Sequence, residues 1–117
     1  MSDTSNQILE GMTQLAADVI MYITKEVNLP RSVCDQLTRS ISSVGANFSE
    51  AQDASSKKDF VNKIFIAKKE ANESIYWLKL SKKLLSDNEY LKIDGFISRN
   101  QGYLMMLQKI INTSREK

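Results

Sequence analysis

The stretch Arg39–Phe60, RSISSVGANFSEAQDASSKKDF, decides how this chain is read. It opens as a helix, with Ile41, Val44, Phe48 and Ala51 recurring at three and four residues. Yet serine stands at 40, 42, 43 and 49, glycine at 45 and asparagine at 47, all inside what should be helix. Two readings compete. A phosphate cradle needs repeated glycines at fixed spacing, and SVGANFSE has a single one. Close helix packing needs only short side chains, and serine can bond to a carbonyl one turn back. Gly45 in a helix interior costs about 1 kcal/mol against alanine. That cost predicts a close contact at Gly45, with the bulky aromatics of the next helix.

Outward from this stretch, the chain has few breaks, with one proline and four glycines in 117 residues. Asn28-Leu29-Pro30 is the first, because a proline restrains the residue before it and suits a helix start. Ser55 or Ser56 is the second, with Asp59 placed as the capping-box acid if Ser56 is the N-cap. Ser86-Asp87-Asn88 is the third. These breaks predict helices near 5–27, 31–53, 57–86 and 91–114 in one domain spanning 1–117. Each has an apolar stripe, as in Ile93, Ile97, Asn100, Leu104, Leu107 and Ile111. No segment reads as a strand. The expected fold is all-α, a single antiparallel up-down-up-down four-helix bundle.

Two helices carry more apolar residues than one core face needs. The third adds Phe65, Tyr76, Trp77, Leu80 and Leu84, and the fourth adds Phe96, Tyr103, Met106 and Ile110. A second stripe implies a wide core or a subunit interface. The set Phe96, Tyr103, Met106 and Ile110 is the candidate interface of a homo-oligomer.

Composition excludes several classes of function. Charged residues are 26% and hydrophobic residues 42% of the chain, the profile of an ordinary globular domain. No apolar run is long enough to span a membrane. No basic segment followed by an apolar one marks a signal peptide, so a cytoplasmic location is expected. Cys34 is the single cysteine, which forbids an internal disulfide and reads as a small buried hydrophobe. The chain has no histidine to activate a serine or a thiol. It also lacks the Glu-x-x-His pairs of di-iron bundles, leaving only Glu50, Glu70 and Glu73 as a weak carboxylate set. No catalytic residue, metal site or cofactor is therefore expected.

The net charge of +2 is uneven: residues 1–30 carry −3, residues 31–86 carry +4 and residues 87–117 carry +1. The middle segment is where an anionic partner would bind. Lys57, Lys58, Lys68, Lys79, Lys82 and Lys83 are the candidate phosphate contacts, on one broad face of the third helix. No base-reading element is evident, so such binding would be sequence-tolerant and salt-sensitive. Arg39, Asn47, Glu50, Lys69 and Glu70 form a candidate structural polar motif. In it, Asn47 and Glu50 would meet Lys69 or Arg39 in a partly buried network that fixes helix register.

The segment Gln36–Leu80 resembles the bacterial four-helix bundle family, also called the 23S ribosomal RNA intervening-sequence proteins. The resemblance rests on Arg39-Ser40, then Ser43, Asn47, Glu50 and Ala51, then Ser56 and Phe60. It continues through Ala67, Lys69, Glu70 and Ala71 to Trp77-Leu78. It implies a four-helix subunit similar to the accessory protein of diversity-generating retroelements. That relationship implies a ring of five that binds nucleic acid and a reverse transcriptase. The expected function is a non-enzymatic oligomeric scaffold or adaptor, with RNA or DNA backbone bound weakly through the third helix. The alternative is an adaptor that binds only proteins.

Overall fold

The computed structural model describes residues 1–86, 88 and 90–115. Asp87, within the third expected break, lies outside the described residues. Helix α1 runs Asp3–Met21, α2 Arg31–Gln52, α3 Lys57–Leu84 and α4 Leu91–Arg115. No strand occurs among the described residues. Among them, no helix is long and apolar enough to cross a membrane.

The starts follow local chemistry. The Ser2 hydroxyl accepts from Ser5 N at 3.0 Å, and Ser56 accepts from Asp59 N at 3.0 Å. The Asp59 carboxylate reaches back to Ser55 N at 3.1 Å, one residue earlier than a standard capping box. The Pro30 carbonyl opens α2 by accepting from Val33 N and Cys34 N. The first helix does not continue regularly to residue 27. Its last turn, Tyr22–Glu26, is π-helical. This wider turn brings the consecutive residues Tyr22 and Ile23 both into the core, at 3% and 1% exposure.

Pairings along the seams fix which residues face one another. As numbers rise along α2, partners on α3 fall: Ser40 pairs with Ser74 and Glu50 with Lys63. Between α1 with its π-turn and α4, Glu26 meets Lys92 at 2.7 Å, Asp18 meets Arg99 at 3.0 Å, and Gly11 faces Tyr103. Between α1 and α2, Ile23 O lies 3.7 Å from Cys34 Sγ while Met12 packs on Gly45. The molecule is a rod of 47 × 23 × 21 Å.

The core has two apolar halves. One gathers Leu15, Val19, Ile23, Leu37, Leu78 and Ile93. The other gathers Met12, Phe48, Ile64, Ala67, Leu107 and Ile111. A buried polar layer separates them along the chain. Ser74 Oγ is 2.9 Å from Ser40 Oγ, and Asn100 Nδ2 donates to Ala71 O at 2.8 Å. Ser40, Ser74 and Asn100 are completely buried, and Asn100 Oδ1 is the one buried side-chain polar atom without a partner among the described residues.

Cys34 is only partly buried, between α2 and the π-turn. Burial, aided by the charge of Asp35, pushes its thiol above the ordinary range, which keeps it protonated and unreactive near neutral pH.

Gly45 contacts the first helix, not the aromatics of α3. A Cβ there would lie 3.6 Å from Met12 Cβ and 3.7 Å from Leu9 Cδ1, an ordinary contact. Gly45 therefore is not required by space. Gly45→Ala is expected to raise stability by about 1 kcal/mol, measured as a higher urea midpoint at constant slope. Gly95 and Gly102 of α4, where a Cβ would meet nothing within 4 Å, are expected to behave alike. A lowered midpoint at Gly45 would mean that the α1–α2 seam is tighter than described.

Candidate nucleic-acid interface

Because α2 and α4 cover one side of α3, its opposite side faces solvent. Lys58, Asn62, Phe65, Lys69, Asn72, Tyr76, Lys79 and Lys83 recur alternately at four and three residues, and all are exposed. Spacing near 3.5 residues keeps them on one row along the helix. The row holds four lysines and two aromatics, and none of its eight positions is acidic. Phe65 is 41% and Tyr76 is 59% exposed, large values for rings of this size.

Of the three acids of α3, Glu70 and Glu73 lie on its α2 flank and are paired there, while Asp59 sits in the first turn. Arg39 holds Glu70 at 3.1 Å and also Glu73, while Lys63 meets Glu50 at 3.0 Å. The Glu50 carboxylate holds the Lys63 ammonium above the ordinary lysine range. Trp77 Nε1 donates to the same Glu73 oxygen at 2.9 Å, and the Trp77 ring stands edge-on to Tyr76 at 5.1 Å. The eight positions of the row itself hold no carboxylate; Asp59 adjoins it beside Lys58, and Glu73, one turn from Lys69, is engaged by Arg39.

The six candidate lysines do not form a single face. Lys58, Lys79 and Lys83 lie on the exposed row, and Lys57 sits beside Lys58. Lys57 and Lys58 line an open groove of about 460 Å³ with Arg115. Lys79, Lys82 and Lys83 line another of about 570 Å³ with Tyr90. The helix rise of 1.5 Å per residue sets these two ends roughly 33 Å apart. Lys68 is half-buried, its ammonium 5.5 Å from the Phe65 ring centre. Lys82 turns aside to Asp94, 2.9 Å away, and that hydrogen bond raises its pKa.

The expected polar network of Asn47 and Glu50 with Lys69 or Arg39 is not formed. Asn47 Nδ2 donates to Ser43 O at 2.8 Å, within its own helix. Glu50 takes Lys63 instead, and Arg39 takes Glu70 and Glu73. Lys69 lies on the exposed row. The physical reason is register: Glu50 sits near the α2 end, opposite Lys63, while Lys69 points away from α2. Of the candidate interface residues, Phe96 is 8% exposed and stacks edge-on to Tyr22 at 5.6 Å. Tyr103 and Ile110 are half-buried against the core, and Met106 is the exposed member at 36%. Leu91 and Met105 are much more exposed, at 71% and 74%.

Asn62, Phe65, Lys69, Asn72 and Tyr76 are the residues of this row that sequence reasoning missed as candidates for it. The alternation of four and three was present in the numbering. It was hidden because Phe65 and Tyr76 also fit an apolar stripe, and Lys69 also fits the polar motif.

Four long helices around a divided apolar core define an all-α four-helix protein whose outward α3 row is basic and aromatic. The chain belongs to the 23S rRNA-intervening sequence protein family, whose profile matches residues 4–109. A crystal structure from Bacteroides thetaiotaomicron, of a protein of unknown function in the S23 ribosomal protein family, is similar to it. The two share 28% identity and a TM-score of 0.78, over 92% of this chain and 97% of the other. No curated protein sequence matches this chain.

Proposed function

We propose that the chain is a non-enzymatic, cytoplasmic scaffold that self-associates and holds the phosphate backbone of nucleic acid along α3. The observation that carries this reading is the exposed row with four lysines and no carboxylate. Charges in such a row act together on a polyanion by releasing its counterions. The descending partner numbers along three seams support the antiparallel up-down-up-down order. The family resemblance implies a ring of five, which would repeat the row and add affinity through multivalency. Leu91, Met105 and Met106 are the exposed apolar side chains of α4 that a second copy would cover. Those same residues favour the second reading, an adaptor that binds only a protein.

Light scattering at about 50 and about 200 mM salt, with and without a mixed-sequence RNA, tests the proposal. A multiple of the 13.3 kDa chain mass that rises with RNA only at low salt is expected. A multimer indifferent to RNA leaves the protein adaptor. A monomer removes self-association.

A further inference from the structure

The two aromatics on the row do something that lysines alone do not. Phe65 and Tyr76 are eleven residues apart on one face, about 16 Å along the helix, with Lys69 and Asn72 between them. An exposed ring offers an apolar face on which a planar partner can stack. Tyr76 is also held in place. Its ring leans edge-on against Trp77, Trp77 is anchored to Glu73 at 2.9 Å, and Arg39 holds Glu73. The ordering of this side chain is thus supplied before anything binds, which lowers the entropy lost on binding.

We propose that the α3 row selects single-stranded over double-stranded nucleic acid, with Phe65 and Tyr76 as stacking platforms for two unpaired bases. This rests on the nucleic-acid reading above and names its substrate class. The spacing of the rings leaves room for intervening nucleotides, whose phosphates Lys69 and Lys79 reach. A duplex keeps its base faces stacked inside, so it could use the lysines but not the rings. Every base has a π-face, so selection is for strandedness and not for sequence. A protein partner would need groups matching four lysines along one row, and a polyanion with exposed planar bases matches both features at once.

The test is fluorescence anisotropy with a labelled single strand of mixed sequence and with its duplex, for the full chain and for Phe65→Leu/Tyr76→Leu. Leucine keeps apolar bulk and removes the π-face, and circular dichroism checks that helix content is unchanged. The single strand is expected to bind about a hundredfold more tightly than the duplex, with about tenfold lost per ring replaced and the duplex unaffected. Equal binding of both forms, unchanged in the variant, would overturn the stacking inference and leave the phosphate reading standing. Binding of neither form would overturn both.

Discussion

Aspartate in place of Asn100 is expected to cost the fold about 3–5 kcal/mol near neutral pH and far less near pH 4. Asn100 is completely buried in the polar layer, and its Nδ2 donates to Ala71 O. An aspartate would turn a carboxylate oxygen toward that carbonyl, with no cation among the contacts described for Asn100. It would therefore fold protonated, keeping the bond to Ala71 through its hydroxyl. Its folded pKa would stand above the unfolded value of about 3.9. Below that unfolded value both states are neutral and the fold is little affected. As pH rises, the unfolded state releases its proton first, and stability falls by about 1.4 kcal/mol per pH unit until the folded pKa is reached. Urea denaturation at several pH values measures this slope, and a pH-independent loss would place Asn100 in contact with water. Asn100→Leu is expected to be nearly neutral, because it also removes an acceptor that has no partner.

The second large effect is at Gly11, where alanine should destabilise the protein although it is the better helix former. A Cβ there would lie 2.0 Å from Tyr103 Oη and 3.1 Å from Tyr103 Cζ. The phenol ring is stiff, half-buried and packed against both core halves, so relieving the clash means moving the whole ring. Overpacking of this kind costs about 1–3 kcal/mol, against about 1 kcal/mol of helix propensity gained. The net expected loss is up to about 2 kcal/mol. Tyr103→Phe in the same chain should restore part of it by removing Oη, but not all, because Cζ stays close. Denaturant midpoints for the two single variants and the double variant test this coupling. Additive effects would mean that Tyr103 does not sit on Gly11. The contrast with Gly45 is the useful control: one glycine is needed for space and the other is not.

These two residues show where sequence reasoning reached and where it stopped. Helix α3 announced its start through Ser56 and Asp59, because capping is a local matter settled by neighbours in the chain. Asn100 was visible as a member of the α4 core stripe, since periodicity alone puts it there. Its partner at Ala71 was not visible, because that depends on the register between two helices. Gly45 and Gly11 look alike in sequence. Only the identity of the opposing side chain separates them, a methionine stem in one case and a tyrosine hydroxyl in the other. The outward row on α3 failed to emerge for a related reason. Two stripes on one helix can be counted from spacing, but which of them faces water depends on where α2 and α4 lie.

The most direct measurement of the central claim compares the salt dependence of single-strand binding for the native chain and for Lys58→Gln/Lys69→Gln/Lys79→Gln/Lys83→Gln. Four phosphate contacts per chain predict a slope of log affinity against log salt of about −3, and the variant should lose most of that slope. These lysines are all exposed, so the fold should survive the change. A native chain with no salt-dependent binding, or a variant with the same slope as the native chain, would contradict the assignment of α3 as the nucleic-acid face.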